Sequence, residues 1–330
     1  MNDNYKPVQY LTVGSEDSGR RIDNFLMARL KQVPKTRVYR MLRKGEVRLN
    51  GGRVRQDRKL KTGDVLRIPP LYEQPSNMDA PPDHLVRRVM ASIIFENDLI
   101  LAINKPAGIS VHGGSRDTHG IIEALRAGSK AYQGLHLAHR LDRMTSGCLL
   151  LCKRMDTLRQ VNQLIRQGDT TKKYLTLVKG RADDQFSVNL PLKKGTLRGG
   201  ERMVGVDHSG KAATSLFTVV RHYNSATLME VELVTGRTHQ IRVHAAESGH
   251  PVAMDNKYGE IQYNREMKRL GLKRMFLHAS SLSLHLPGEI APVVIEAPLP
   301  SELQNFLVTL AHEEAEPIKQ HQRKNQADKI

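Results

Sequence analysis

The chain has 330 residues, 39% hydrophobic and 26% charged, enough for a full core and for more than one domain. No apolar run approaches a membrane span and residues 1–10 carry no apolar export signal, so a cytoplasmic protein with no membrane partner is expected. The net charge is +17, and residues 20–68 alone hold 16 Lys and Arg against 4 Asp and Glu; a surplus focused on one short segment points to a polyanion, nucleic acid first.

Residues 1–19 are polar and are expected to form a flexible N-terminus. From Arg21 the apolar residues Ile22, Phe25, Leu26 and Leu30 recur at helical spacing. Pro34 ends that helix and opens a second, Lys35–Lys44. Its Val38, Met41 and Leu42 face inward, while Arg37, Arg40 and Lys44 share the opposite face. Gly45 ends it. Val47 and Leu49 then alternate, Asn50-Gly51 is a hairpin signal, and Val65 to Ile68 forms a second edge after the Gly63-Asp64 turn. Such a module, two helices on a small sheet with one cationic face, suits tracking phosphates with little sequence readout. Arg21-Ile-Asp-Asn-Phe-Leu, the basic helix, Gly45-Glu-Val-Arg-Leu-Asn50-Gly51 and Gly63-Asp64 resemble an S4 RNA-binding domain over residues 20–69.

Residues 70–89 read as a linker, because 69–82 holds five of the fifteen prolines. A larger domain is expected over 90–312. Leu99–Asn104, Gly147–Cys152, Tyr174–Val178, Ser215–Arg221 and Thr227–Val234 read as strands; Asp156–Arg166 and Thr238–Glu247 read as helices. Strands outnumber helices and do not alternate with them. The expected class is therefore α+β, with a mixed, mostly antiparallel sheet. Residues 313–330 are polar and charged and are expected to form a disordered tail. Cys148 and Cys152, the only cysteines, lie about 13 Å apart along a strand, too far for a disulfide. They read as reduced core residues.

His139-Arg-Leu-Asp142-Arg-Met-Thr-Ser-Gly147 sets Asp142 between two arginines, just ahead of the apolar run Leu149–Cys152. A carboxylate in such company stays ionised and can serve as nucleophile or base; a plain ion pair with Arg140 or Arg143 is the competing reading. In Thr235-Gly-Arg-Thr-His-Gln-Ile-Arg-Val-His244, Thr238 reads as a helix N-cap. Arg242 falls on the same helix face as His239, where it would reach and orient Asp142. His239 and His244, five residues apart, are poorly spaced metal ligands, and hydrogen bonding or RNA contact is expected of them instead. Tyr174 opens an alternating strand after Lys172-Lys173. It reads either as a core aromatic or as a platform for an extruded base. Asn104-Lys-Pro-Ala-Gly-Ile-Ser-Val-His-Gly113-Gly114 reads as strand, rigid turn and glycine pair, a scaffold with RNA backbone contact. No Walker loop, dinucleotide fingerprint or Gly-x-Ser-x-Gly elbow occurs.

The motifs His-Arg-Leu-Asp at 139–142, Lys-x-Tyr at 172–174 and Arg-Thr-His-Gln-Ile-Arg at 237–242, with the Asn-Lys-Pro-Ala-Gly turn upstream, resemble an RluA-type pseudouridine synthase. Together with the S4-like module the resemblance covers about residues 20–310. It implies an isomerase that detaches a uracil from its ribose in RNA, rotates it and reattaches it through C5, with no cofactor and no metal. It implies that Asp142 is the catalytic carboxylate, Arg242 its partner, and Tyr174 the residue stacked on the flipped uracil. Arg140 would fill the space the base leaves. His139, Arg237 and His239, with Arg37, Arg40 and Lys44 of the first module, are assigned to RNA contact. The expected partner is 23S ribosomal RNA or its large-subunit precursor, and a monomer is expected. Met144 departs from the family, where many members carry a polar residue. The alternative reading is a non-catalytic RNA-binding or ribosome-assembly factor on the same fold. A third, a metal-dependent hydrolase, lacks any Asp/His cluster at ligand spacing.

Overall fold

The computed structural model describes residues 5–30, 33–72, 80–113, 119–198, 201–286, 289 and 291–313. The chain forms two compact units, Met1–Ala80 and Pro81–Ile330.

In the first unit the order is β1 (Tyr5–Lys6), β2 (Gln9–Thr12), α1 (Ile22–Arg29), α2 (Lys35–Lys44), β3 (Arg48–Leu49), β4 (Gly52–Arg53), β5 (Val65–Ile68) and β6 (Leu71–Tyr72). A four-stranded sheet runs β2-β5-β3-β4, and β1 pairs with β6. Asn50 and Gly51 sit at φ 48° and 80°. Two successive left-handed residues match the twist of the β3–β4 hairpin. Ile22, Phe25, Leu26, Val38, Met41 and Leu66 make the core. The N-terminal segment is more ordered than its composition suggests: β2 pairs with β5, and Val13 is buried. Its apolar alternation, Leu11 and Val13, is too short to read as a strand unaided.

The second unit opens inside the segment read as a linker. Pro82 precedes α3 (Asp83–Met90), so this proline starts a helix rather than spacing two domains. Residues 73–79, with Pro75, lie outside the described residues. Then follow β7 (Ile93–Glu96), β8 (Ile100–Lys105), α4 (Ile121–Gly128), β9 (His136–Leu137), β10 (Ser146–Cys152), α5 (Met155–Gln167) and β11 (Thr170–Lys179). Next come β12 (Gln185–Asn189), β13 (Leu192–Arg198), β14 (Glu201–Val206), β15 (Thr214–His222) and β16 (Ala226–Leu233). The unit continues with α6 (Gln240–Glu247), α7 (Ile261–Arg269), β17 (Leu277–Leu284) and β18 (Val293–Glu296). A last helix covers residues 301–313 and packs Leu303, Phe306 and Leu310 into the core. The rest of the expected tail, 314–330, lies outside the described residues.

Ten strands form one sheet, ordered β12-β15-β16-β11-β17-β10-β8-β7, with β18 on β17 and β9 on β10. Its pairings are antiparallel except β10–β17. This is the mixed, mostly antiparallel α+β sheet the sequence predicts. Strand β10 is buried along its whole length, which is why it reads as an unbroken apolar run. Burying each of its three leucines stabilises the fold by about 2 kcal/mol. Cys148 and Cys152 lie on it as free, buried thiols, both pushed up to about 12 by burial.

The register brings the motifs together. Ala279 on β17 pairs with Gly147 on one side and with Tyr174 on the other. The end of the Asp142 loop and the expected stacking tyrosine thus share one row across three strands. A bulge between Lys173 and Tyr174 shifts the register at that row. Bulges re-aim side chains, and they concentrate beside active sites.

Candidate active site

Asp142 sits in the loop between β9 and β10. The Thr145 N–H donates to the Asp142 carbonyl at 3.1 Å, closing a tight turn around the aspartate. Leu141 is buried beside it. His139 Nε2 accepts the Leu150 N–H at 3.0 Å and pins the loop to β10. Arg143 Nε donates to the Gly108 carbonyl at 2.9 Å, and Gly108 N–H returns a bond to the Arg143 carbonyl at 2.8 Å. Lys105, fully buried, donates to the carbonyls of Pro106, Ile109 and Arg143 at 2.9, 2.9 and 3.1 Å. The Asn-Lys-Pro-Ala-Gly turn is therefore the bracket that holds the aspartate loop. Gly114 lies outside the described residues.

Gly147 is the one residue type its position accepts. Its φ is 113°, and a Cβ there would lie 2.1 Å from the Ala279 carbonyl oxygen. That close approach lets β10 pair in parallel with β17.

The arginine that reaches Asp142 comes from α6. Arg242 Nη1 donates to Asp142 Oδ2 at 3.3 Å. The remainder of its guanidinium is gripped by Asp255, Nε to Oδ2 at 2.6 Å and Nη2 to Oδ1 at 2.7 Å. Its charge centre also lies 5.0 Å from the centre of the Tyr258 ring. His239 Nε2 lies 3.7 Å from Asp142 Oδ2, while its Nδ1 lies 2.7 Å from the Tyr258 hydroxyl, which accepts the Val204 N–H at 2.9 Å. Burial holds the His239 pKa below its ordinary value, so the ring is neutral near pH 7. Thr238 is not the N-cap. His239 takes that place in a left-handed conformation, φ 56°, with no side-chain cap. The turn geometry that aims its ring at Asp142 displaces the usual cap.

Two connected spaces meet at Asp142. A cavity of about 60 Å³ is lined by Arg140, Asp142, Tyr174, Arg237, His239 and Arg242, among others. Outside it a groove of about 810 Å³ carries Arg140, Arg143, Arg242, Lys257, Lys273 and Arg274. Asp142 is the sole acidic side chain among the described residues on the walls of either. Tyr174 is buried at the cavity wall, and burial, with the charge of Asp142, raises its pKa above the ordinary value. It stays protonated and is no base by itself.

Six of the residues picked from the sequence therefore line one cavity. His139 does not. One of its ring nitrogens is engaged by a main-chain N–H, and burial lowers its pKa to about 4, so it is a neutral, half-buried strut that braces the loop. His244 is likewise structural, between Ser215 Oγ and the Leu190 carbonyl. Arg237 Nε donates to the Ala212 carbonyl at 3.0 Å, which fixes it at the cavity edge. In the first unit Arg40 and Lys44 are exposed, whereas Arg37 pairs with Glu46 at 2.8 Å. Met144 is exposed on the groove wall; nothing in the structure explains its departure from the family. Lys105 reads in the sequence only as part of the scaffold turn, and Asp255 and Tyr258 have no place in that reading. The signal for the last two was Asp255-Asn-Lys-Tyr258-Gly259, an acid and an aromatic in a turn closed by a glycine whose Cβ would strike the Asp255 carbonyl at 2.2 Å. No group of three His, Cys, Asp or Glu able to hold a metal ion occurs among the described residues. Nor is any described helix long and apolar enough to cross a membrane.

Comparison with known proteins gives the same division of the chain. The family model described as RNA pseudouridylate synthase matches residues 99–247, and that of the S4 domain matches residues 20–66. Ribosomal large subunit pseudouridine synthase C of Haemophilus influenzae is 44% identical over 92% of this chain and 95% of its own. The Escherichia coli protein of that name is 43% identical over 92% and 97%. Among solved structures, human RNA pseudouridylate synthase domain containing 4 superposes with a TM-score of 0.57 at 26% identity, covering 69% of this chain and 96% of that one. With relatives this similar over nearly their whole length, and with Asp142, Tyr174 and Arg242 gathered at one cavity, the chain belongs to the RNA pseudouridylate synthase family and carries an S4 domain on its N-terminal side.

Proposed function

We propose that this protein isomerises specific uridines of large-subunit (23S) ribosomal RNA to pseudouridine, with Asp142 as the reacting carboxylate. One observation carries the assignment: Asp142 is the sole acidic group among the described residues lining a cavity whose mouth is otherwise basic. A basic groove gathers the RNA backbone, and a single carboxylate at its floor meets the flipped nucleotide. The reaction breaks N1–C1′, forms C5–C1′, removes the proton from C5 and leaves one on N1. Reactant and product are isomers, so no cofactor supplies atoms or electrons.

Each side chain has a role that follows from its place. Arg242 orients Asp142 through a single charge-assisted bond. Tyr174, protonated and packed at the cavity wall, offers its ring to the uracil. Arg140 is exposed where both spaces open, and it takes the stacking position that the base leaves. These contacts offset the few kcal/mol, roughly, that base extrusion costs. Arg237 and His239 border the same cavity and touch the RNA there. Arg40 and Lys44 of the S4 domain add phosphate contacts. On this reading the enzyme works in the cytoplasm and as a monomer.

The test is tritium release from large-subunit RNA labelled at C5 of uridine. The protein releases tritium, and Asp142→Asn releases none while binding the RNA within about threefold of the parent. Product from Asp142→Asn, verified by mass to be free of deamidation, would remove the aspartate from the mechanism. RNA binding without tritium release by the parent would favour the non-catalytic assembly factor.

A further inference from the structure

A second pocket, of about 490 Å³, lies between the β13–β14 hairpin, the 207–211 turn and the loop ahead of α6. Arg237 lines both this pocket and the cavity that holds Asp142. The groove meets that cavity along Arg140, Asp142 and His239, and it has no described lining residue in common with the pocket. The cavity is therefore bordered along two different edges, by the groove on one and by the pocket on the other.

The pocket has the character of an anion site. Lys193, Lys194, Lys211 and Arg237 line it, and no carboxylate does among the described residues. Lys193 is already engaged, donating to Asp207 Oδ2 at 3.1 Å and to Ser209 Oγ at 2.8 Å. Lys194 and Lys211 are exposed and pair with no described carboxylate. Arg237 commits only Nε, to the Ala212 carbonyl, among the described residues. The buried Leu192 and Val204 give the pocket an apolar floor. Cations over an apolar floor suit a sugar–phosphate chain, and the volume is within the roughly 300–1,000 Å³ of small-ligand sites.

Its walls are ordered in advance. Leu192 and Lys211 exchange two N–H···O bonds of 2.9 Å, which fixes the turn on β13. Gln240 Oε1, buried, accepts the Thr235 hydroxyl and the Arg237 N–H at 2.8 and 2.9 Å, which fixes the opposite wall. The Val204 N–H donates to the Tyr258 hydroxyl that meets His239, so the hairpin is tied to the cavity. A site ordered beforehand loses less entropy when its ligand arrives.

We propose that this pocket is a second RNA subsite, which takes a phosphodiester of the strand adjoining the flipped uridine. One end of the strand leaves the cavity along the groove. The other crosses Arg237 and sets its phosphate against Lys194 and Lys211. The inference rests on the flipped uridine occupying the Asp142 cavity.

The test uses the full-length protein and its Lys194→Ala/Lys211→Ala double variant, in filter binding to large-subunit RNA over a range of salt. Both lysines are exposed, so the fold is not at stake. The variant should lower the slope of log affinity against log salt by at least about 0.7, the share of one phosphate contact. From about 50 to 200 mM salt the parent's advantage should therefore shrink about threefold or more. Randomly ethylated RNA, partitioned between bound and free, locates the contact. The phosphates whose ethylation weakens the parent but not the variant should be those next to the uridine that releases tritium, on one side of it. An unchanged slope would overturn the proposal, as would ethylation differences confined to other phosphates. A parent that binds the RNA and releases no tritium would instead sink the functional assignment.

Discussion

The ammonium of Lys105 donates to the main-chain carbonyl of Arg143, one residue past Asp142, at 3.1 Å. No water reaches it, and its three acceptors are all carbonyls. Burial pulls its pKa down to about 7, against the opposing pull of the Asp142 charge. Between about pH 7 and 10.5 the unfolded chain therefore holds a proton that the folded chain has lost, so stability rises with pH in that window. The upper part is contested, because both cysteine thiols are pushed up to about 12 and favour unfolding once free thiols ionise. Urea unfolding from pH 7 to 8.5 should show stability rising by up to about 1.4 kcal/mol per pH unit. Lys105→Met should flatten that slope and lower stability at pH 8, since each stranded carbonyl costs about 1–3 kcal/mol. An unchanged slope in the variant would assign the titration elsewhere.

His139 makes the opposite end of the pH range informative. Its folded pKa is about 4 against an ordinary 6.5, so only the unfolded chain takes up its proton between those values. Its contribution is complete above pH 6.5 and is lost as pH falls towards 4. His139→Phe keeps an aromatic ring but leaves the Leu150 N–H without its acceptor. It should cost about 1–3 kcal/mol at pH 7 and weaken the acid sensitivity. RNA affinity measured on the folded variant should stay within twofold. A large affinity loss at full folding would return His139 to the RNA interface.

Gly147 and Gly168 separate two causes of glycine dependence. Both have positive φ, 113° and 86°, but a Cβ at Gly168 meets nothing within 4 Å, whereas at Gly147 it collides with backbone. Gly168→Ala, at the end of α5, should cost about 1–2 kcal/mol in thermal unfolding. Gly147→Ala must part β10 from β17 and should cost about 4 kcal/mol or more, with loss of tritium release. Equal costs at the two sites would mean that the strands accommodate the methyl group.

The parts legible in the sequence were those written locally. The run Leu149–Cys152 and the alternation after Tyr174 gave central strands because burial on one face or two imposes period and composition. Asp142, Tyr174 and Arg242 were found through motifs, yet neither composition nor spacing said that Ala279 would align Gly147 with Tyr174. Lys105 read as part of a turn, since a lysine's burial depends on three carbonyls that converge only in the fold. Asp255 lay 13 residues past Arg242, across a turn whose left-handed Met254 has no sequence signature. Thr238 was a sound N-cap by residue type, and lost because backbone strain at His239 was favoured by the site. Non-local pairing and strain are what a one-dimensional pattern does not carry.

The cationic face of α2 should divide in solution as it does in the structure. Arg40 and Lys44 are exposed, whereas the guanidinium of Arg37 is held by Glu46 at 2.8 Å. A phosphate contact releases about 0.7–0.9 counterion, depending on whether the RNA is single- or double-stranded there. Arg40→Ala or Lys44→Ala should therefore weaken binding to large-subunit RNA uniformly across sequences. Each should lower the slope of log affinity against log salt by about one. Arg37→Ala should change the slope less, because its charge is already compensated, and should instead disturb the end of α2. Glu46→Gln sharpens the comparison: by releasing Arg37 it should raise affinity at low salt and steepen the slope. Should Arg37→Ala match Arg40→Ala, the Arg37–Glu46 pair opens on the RNA and Arg37 is a full phosphate ligand. Should neither Arg40→Ala nor Lys44→Ala move the slope, the RNA path does not cross this helix.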